Sequence, residues 1–512
     1  MEEEWFKPKK YPHIGLPITK QDWQWISTYV KNAENIKSHS FLPLIHRSLV
    51  QRKFRANQEM PLRNPKGKRR RKVGKPKVRD IFYASHLDSL IYSYYNHILA
   101  EKYENYVSKC DFNEAVVAYR KIPVNAHTNS NKCNIDFAKS AFQFILEKYP
   151  SPVSVIIADV TGFFDNLDHK EIKKQWKKIL CAENLPKDHY NIFKSLTTLR
   201  YVEEDQLFKE YQNKIIVEKG TPNNSKKKQQ KQISIKSLFY LKEKRALAYC
   251  TKEDFLENSL KLVISKNKTK GIPQGSPISA TLANIYMLDF DDELNKKIQE
   301  IGGFYQRYSD DLIIVCNQEY ETFILSFVRR LISDQVKLDI HPDKTQVYRF
   351  EKNKTTYSGC QIDEFSKLKN PNKSLEYLGF SFDGEKVLIK TAGFSKFHRS
   401  MKKSFKKSTS LAIHSKNPEK KLFKSRLYKR FTHRGAKRKL IYRPTIQDPS
   451  IYLPTKKQDW GNYISYINKA DETMKSLNGS NFIKKQGRKL WYRFHILLKA
   501  SEKKVNAEIN KH

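Results

Sequence analysis

Hydrophobic positions along the chain follow two rhythms, one suited to strands and one to helices. Val153-Ser-Val-Ile-Ile-Ala158 is a short, continuous, β-branched run, which predicts a buried strand ending at Asp159. Apolar residues on both sides of Ser309-Asp310, over Tyr308 to Val315, predict two strands around a tight turn. Gln335 to Ile340 predicts one more strand. Tyr377-Leu-Gly-Phe-Ser-Phe382 and Lys386-Val-Leu-Ile-Lys390 flank Asp383-Gly384, and Asp-Gly between alternating apolar residues is a strong hairpin signal. Helical spacing marks Gln21 to Asn32, Leu87 to Tyr103 (through Leu90, Ile91, Tyr94 and Ile98), His169 toward Leu180, Ile278 to Ile298, and Glu319 to Ser333. From about Ser395 the strand signals stop. Trp460 to Met474 and Ile483 to Lys503 then read as helices of a separate domain. Hairpins with interspersed helices, followed by helices alone, predict an α+β fold with a helical C-terminal part.

Between Lys214 and Glu257 the pattern is weak, and Asn223-Asn-Ser-Lys-Lys-Lys-Gln-Gln-Lys-Gln232 reads as a flexible loop at an insertion. Lys66 to Lys77 contains Lys68-Arg69-Arg70-Arg71-Lys72, interrupted by Gly67, Gly74 and Pro76, and predicts a mobile basic loop or hairpin. Charge sharpens this picture. The 512 residues carry 97 Lys and Arg against 54 Asp and Glu, a formal excess of 43 positive charges. So large an excess opposes compaction by self-repulsion and points to a polyanionic partner. No apolar run reaches the roughly 18–20 residues that span a bilayer, so no membrane-spanning segment is expected. Met1-Glu-Glu-Glu-Trp-Phe places acids where a secretory leader needs bases. The six cysteines (110, 133, 181, 250, 316 and 360) form no CxxC pair. Reduced thiols in a cytoplasmic protein are the expectation.

Three separated features carry chemistry. Asp159 ends a buried strand and is followed by Phe163, Phe164 and Asp165; Gly271-Ile-Pro-Gln-Gly-Ser-Pro277 precedes a helix; Tyr308-Ser-Asp-Asp311 runs straight into apolar Leu312-Ile-Ile-Val315. Adjacent carboxylates entering an apolar strand repel each other and lose hydration unless cations neutralise them. Alone, Asp310-Asp311 is more often a solvated turn, and Asp159 is usually a strand-end cap. If the two strands are neighbours, three carboxylates converge, an arrangement suited to nucleotidyl transfer with hard divalent cations.

Here a family resemblance appears. Asp159-Val-Thr-Gly-Phe-Phe-Asp165 resembles the first palm motif of reverse transcriptases, and Gly271 to Pro277 their glycine-proline-glutamine-glycine loop. Tyr308-Ser-Asp-Asp311 is similar to the tyrosine-x-aspartate-aspartate box, His341-Pro-Asp-Lys-Thr345 to the following lysine motif, and Glu376-Tyr-Leu-Gly-Phe380 to the primer-grip hairpin. The five motifs stand in the family's order, and the resemblance covers roughly residues 70 to 392. It implies a right-hand polymerase: an N-terminal extension (1–65), fingers (66–152), a palm with an antiparallel sheet and fingers insertions (153–392, with the insertion at about 214–257), and a basic helical thumb (393–512).

The resemblance also implies roles. Asp159 and Asp310 would ligate two Mg2+ ions (Mn2+ as a substitute), with Asp311 secondary and the Val160 carbonyl assisting. Phe164 would be the steric gate against a ribose 2′-hydroxyl, where viral RNA-dependent RNA polymerases usually carry aspartate; core packing is its alternative. Gln274 and Gly275 would meet the incoming deoxynucleotide, Arg79 would clamp its triphosphate with Lys77 as the competing choice, and Lys344 would give a proton to pyrophosphate. Asp165 and His169 read as structural. Nucleic acid would be held by Lys68, Arg69, Arg70, Arg71, Lys402, Lys403, Arg426 and Arg430, with Tyr377 and Gly379 at the primer grip. Phe405, Phe423, Tyr428 and Phe431 read as packing before stacking.

Departures narrow the subgroup. Asn125-Ala-His127 and Val160-Thr-Gly162 do not fit the retron motifs, and no Cys-rich nuclease or RNase H carboxylate set follows the palm. The Asp165–Gly271 interval is longer than compact bacterial relatives need; what remains, fingers and palm joined to a helical C-terminal region, resembles the bacterial "unknown group", with its abortive-infection and defence-associated enzymes, as does Ala118-Tyr-Arg-Lys121. That resemblance implies antiphage defence with a noncoding RNA as template, a DNA product, and in some members self-assembly into homo-oligomers or priming from a protein hydroxyl. A group II intron or retron-type enzyme, a template-independent terminal transferase, and an RNA-binding protein on a polymerase scaffold are the competing readings.

Overall fold

A computed structural model describes residues 3–56, 71–125, 130–221, 224–341, 344–353, 356–363, 368–415, 422–437, 440–444, 451–459 and 461–509. The chain forms two compact units built from separated segments. The first contains Met1–Tyr119, Val160–Lys296 and Phe327–His341; the second contains Arg120–Asp159, Lys297–Ser326 and Pro342–His512.

In the first unit, a long antiparallel hairpin joins Leu44–Ala56 to Arg71–Tyr83. Leu44–Ala56 also pairs in parallel with Thr198–Glu203, which pairs with Ile264–Asn267. The basic cluster is therefore hairpin from Arg71 onward, while Lys68, Arg69 and Arg70 lie outside the described residues. A second sheet runs in the order His13–Ile14, Ala246–Cys250, Ile215–Thr221, Asn224–Ile233. This corrects the loop expected at Asn223–Gln232, because Asn224–Ile233 is a strand opposite Ile215–Thr221. Composition misleads here: a polar stretch has no apolar face to announce a strand, but an apolar partner strand can still satisfy its backbone. Ile45, Val202, Leu207, Tyr211, Val217, Tyr249 and Phe255 form the core beneath.

Two further expectations need correction. Gln335–Ile340 is no strand. Lys337 adopts φ +51°, the Leu338 amide donates to the Ile332 carbonyl, and only an isolated bridge joins Ile340 to Val160. The left-handed residue breaks the extended path that the apolar alternation suggested. The single helix expected over Ile278–Ile298 is two, Ser279–Tyr286 and Leu288–Glu300, meeting where the Met287 amide donates to the Asn284 carbonyl.

Two buried histidines make this unit acid-sensitive. His13 Nδ1 accepts the Ile14 amide at 2.8 Å while Nε2 lies 3.1 Å from the Tyr83 carbonyl, a pattern that only a neutral ring satisfies. Burial pushes His13 down to about 3 and His86 down to about 4, from an ordinary 6.5. The unfolded chain thus binds protons that the folded one refuses, so stability is full above pH 6.5 and falls as the pH drops toward these values. Each histidine is expected to remove about 1.4 kcal/mol per pH unit over that window. Urea unfolding at pH 7.5, 6 and 5 checks this, and His86→Phe should flatten the slope; an unchanged slope would dismiss His86 as a contributor.

In the second unit, six antiparallel strands run in the order Phe304–Tyr308, Asp311–Asn317, Val153–Asp159, Gln346–Asn353, Thr356–Ile362, Lys369–Asn370. Helix Asn134–Glu147 covers one face through Phe142 and Ile145, in a core shared with Val155, Ile313 and Phe350. Val153–Asp159 is central and buried on both faces, which explains its unbroken apolar run. Gly359 sits opposite Phe350 in the register, and a Cβ there would lie 2.2 Å from the phenyl ring. Only glycine leaves room for that aromatic.

The expected Tyr377–Phe382 arm is split. Leu378 and Gly379 take φ +43° and +93°, so Leu375–Tyr377 turns back on Phe380–Phe382, which then pairs with Val387–Ile389. Helices Thr391–Ile413, Lys424–Phe431, Tyr463–Asn478 and Phe482–Ile509 follow. Strand pairing does not end at Ser395, however, because Leu440–Pro444 pairs with Tyr452–Gln458. No helix among the described residues is long and apolar enough to cross a membrane.

Candidate active site

The carboxylates meet on the six-stranded sheet. Asp311 stands directly opposite Asp159 in the antiparallel register, and Tyr308 pairs with Asp311, leaving Ser309-Asp310 as a two-residue turn. Ser309 holds φ +61°, a conformation that costs a non-glycine residue about 1 kcal/mol or more. Arg307, fully buried, secures that turn by donating from Nη1 to the Ser309 carbonyl at 3.1 Å.

Like charges directly opposite each other on a sheet are destabilising. The strain is visible at Asp311, whose carboxyl is pushed up to about 6, first by burial and then by Asp310 and Asp159, against relief from Lys344 and Lys390. The Lys344 ammonium is ion-paired with Asp159 Oδ1. Lys390 pairs with Glu376 at 2.8 Å. All-carboxylate oxygen is the donor chemistry of Mg2+ and Mn2+, and the mutual repulsion is what a cation would relieve. The donor set therefore fits such ions. The side chains are nevertheless not drawn into a closed cage: among the described residues no three acidic, His or Cys groups gather tightly enough to hold an ion. The expected three-way convergence is thus a facing pair with a third carboxylate on the adjoining turn, and Lys344 as counter-charge.

Tyr377 needs correction as a nucleic-acid contact. It is 2% exposed, its hydroxyl donates to Gln306 Oε1 at 3.0 Å, and burial raises its phenol well above the ordinary value. Gly379 lies on the turn above it, accepting the Lys390 amide at 3.0 Å. Asn134 Nδ2 donates to the Leu378 carbonyl at 3.0 Å and braces the same turn. Lys402, Lys403, Arg426 and Arg430 are exposed on two helices. Phe405 and Phe431 are buried and Tyr428 leans on Phe494, so those three pack as expected, whereas Phe423 is 63% exposed.

The first unit carries the remaining candidates. Gly271 and Gly275 adopt φ +92° and +119°, and a Cβ on either would strike the Asp165 or Phe82 carbonyl at 2.7 and 2.6 Å. The Phe82 amide donates to the Gln274 carbonyl at 2.9 Å, so the loop lies along the Arg71–Tyr83 strand. Lys77, Arg79 and Ile81 share one face of that strand, and Ile81 would be within 3.2 Å of a Gly275 Cβ. Lys77 and Arg79 are exposed, and the loop and the two cations thus occupy one neighbourhood. Phe164 is half-buried on the turn of helix Phe163–Asn166, and its carbonyl accepts the Ile272 amide at 2.9 Å. His169 Nε2 lies 2.7 Å from the Gly271 carbonyl, a loop-bracing contact in keeping with a structural role. Val160 is buried and bridged to Ile340.

Arg307, Lys390 and Asn134 escaped the reading of the sequence. Asn134 and Lys390 act on a turn distant along the chain and Arg307 on one two residues ahead, and no local pattern marks any of them.

Residues 228–382 match the family model described as reverse transcriptase (RNA-dependent DNA polymerase). The span takes in Gly271–Pro277, Tyr308–Asp311, Lys344 and the Tyr377–Phe380 turn, and begins beyond Asp159. No curated protein sequence matches the chain. Among solved structures, apo telomerase from Candida tropicalis, truncated from the C-terminal domain, is 12% identical over 69% of this chain and 61% of its own, at TM-score 0.34. Telomerase from Candida albicans in complex with the TWJ fragment of telomeric RNA is 13% identical over 78% and 57%, at TM-score 0.34. The chain therefore spans about three-fifths of those two telomerase chains. Residues 228–382, under a third of the chain, are thus similar to a reverse transcriptase domain, and the mixed α and β architecture around them fits a palm-and-fingers polymerase fold.

Proposed function

We propose that this chain, whose reverse transcriptase domain sits in a polymerase fold, is an RNA-directed DNA polymerase. The observation that carries the reading is the facing Asp159–Asp311 pair with Asp310 on its turn and Lys344 as counter-ion. When bound, a pair of Mg2+ ions would supply charge neutralisation at the triphosphate and a more acidic primer 3′-hydroxyl. Asp159, Asp310 and Asp311 would hold those ions, with the Val160 carbonyl beside them in sequence. Lys344 carries a proton at Nζ that can be given to the leaving pyrophosphate. Arg79, with Lys77, binds the triphosphate of an incoming deoxynucleotide, and Gln274 and Gly275 shape the space for its sugar and base.

Phe164 excludes the ribose 2′-hydroxyl. Shortening it in Phe164→Val is expected to raise ribonucleotide incorporation relative to deoxynucleotide by at least about tenfold, the range that pocket shape commands. Single-nucleotide extension with dNTP and rNTP series checks this; an unchanged ratio assigns Phe164 to packing.

The exposed cations Lys402, Lys403, Arg426 and Arg430 supply phosphate contacts along template and product. Resemblance to the bacterial defence-associated enzymes supports a role in antiphage defence in the cytoplasm, with a noncoding RNA as template. The test is primer extension by purified protein with Mg2+, comparing an RNA template, a DNA template and no template, together with sequencing of co-purified nucleic acid. RNA-dependent product complementary to the template supports the reading. Untemplated tails would assign a terminal transferase, and tight RNA binding without synthesis a scaffold protein.

A further inference from the structure

The last helix, Phe482–Ile509, buries Ile483, Leu490, Phe494, Leu498 and Val505 on one side. On a surface helix the opposite side should be polar. Here it carries Tyr492, 71% exposed, and Ile496, 50% exposed, four residues apart on the line facing directly away from the core. Trp491, 43% exposed, flanks them, its ring 4.4 Å from His495 and 5.0 Å from His433. Single exposed apolar residues are ordinary; an outward Tyr and Ile one turn apart, with a part-exposed Trp between them and the core face, are not.

Charge says what would cover them. From Phe482 to Ser501 the helix has Lys484, Lys485, Arg488, Lys489, Arg493 and Lys499, and no Asp or Glu. Protein interfaces are depleted in lysine at their centres, which disfavours a protein partner. A membrane-surface helix segregates its apolar face from its cations, whereas here aromatic and basic side chains interleave. Interleaved rings and cations suit a polyanion with exposed π-faces, as in single strands whose bases are unstacked from a duplex.

We propose that this helix is a stacking platform for single-stranded nucleic acid, with Trp491, Tyr492 and Ile496 receiving bases and Arg488, Lys489 and Arg493 their phosphates. From Lys485 to Lys499 the platform is about 21 Å long. It extends the polymerase reading: the strand is the template before copying or the product after it, and the ribose decides between them.

Anisotropy titrations with labelled 20-nucleotide single-stranded RNA, single-stranded DNA and duplex RNA test the platform on the full chain. Trp491→Ala/Tyr492→Ala should weaken single-strand binding at least tenfold with the salt slope kept. Arg488→Gln/Arg493→Gln should lower the salt slope by about 1.4, since each phosphate left without its cation takes away about 0.7. Because Trp491 packs on His433, Tyr492→Ala/Ile496→Ala supplies a second pair whose side chains face away from the core and should weaken binding in the same sense. Preference for RNA identifies the template, and for DNA the product. Full affinity in both aromatic variants, a preference for duplex, or loss of a dimer in sedimentation caused by these substitutions would overturn the proposal. All variants should still extend a primer on a short template, so failure of wild-type extension counts against the polymerase reading alone.

Discussion

Asp310→Ala/Asp311→Ala is expected to abolish DNA synthesis, lowering incorporation by at least about a thousandfold, some 4 kcal/mol of transition-state stabilisation. The fold should not suffer. Asp311 is held in its charged form against burial and against Asp310 and Asp159, so removing both groups relieves repulsion on the sheet. Thermal stability should stay level or rise by on the order of 1 kcal/mol. Opposite signs for activity and stability distinguish a functional cluster from a structural one. Primer extension and melting curves on the same preparation measure both, and retained synthesis would remove these carboxylates from the chemistry.

The second large effect lies in the first unit, at a residue outside every motif. Glu204 is 5% exposed and accepts four bonds: two from Arg47 (Nε and Nη2), one from the Tyr83 hydroxyl at 2.8 Å and one from the Tyr249 hydroxyl at 2.9 Å. Burial, with the carboxylate close by, drives both phenols far above their ordinary values, and the same carboxylate raises Arg47. Truncation to alanine would leave the buried Tyr249 hydroxyl and the part-buried Tyr83 hydroxyl without their acceptor, while Arg47, 48% exposed, would turn to water. Glu204→Ala is expected to cost about 2–3 kcal/mol, the range for leaving buried hydroxyls without an acceptor. Glu204→Gln, which keeps an acceptor oxygen, should cost less. Urea unfolding measures the loss, and hydrogen exchange should place it in Leu44–Ala56, Arg71–Tyr83 and Ala246–Cys250. A loss under about 1 kcal/mol would mean that water replaces the carboxylate.

The catalytic candidates and the strands that bear them were legible because their signals are local. A β-branched run ending in Asp159 and an Asp-Asp pair entering Leu312–Val315 record burial and charge in consecutive residues, and the antiparallel register then sets Asp159 against Asp311. Gly271 and Gly275 were legible for the same reason: each backbone position demands a positive φ. Illegible were features whose cause lies elsewhere in the chain. Asn224–Ile233 is a strand because Ile215–Thr221 offers it hydrogen bonds, not because its own residues favour one. Tyr377 looks like a surface aromatic in a hairpin until Gln306, 71 positions away, receives its hydroxyl.

The amino-acid sequence by itself determined the strand bearing Asp159, the Ser309-Asp310 turn, the order of the motifs and the excess of positive charge, since each depends on neighbours in the chain or on composition. Only the tertiary structure decided that Lys344 answers Asp159, that Arg307 secures the turn, that Glu204 gathers Arg47, Tyr83 and Tyr249, and that Tyr492 and Ile496 face away from the core. Lys344 with Asp159, and Glu204 with its three partners, are pairings between groups remote along the chain. A charge or a hydroxyl has no preferred partner until packing fixes which groups share a low-dielectric space, and that choice belongs to the fold as a whole.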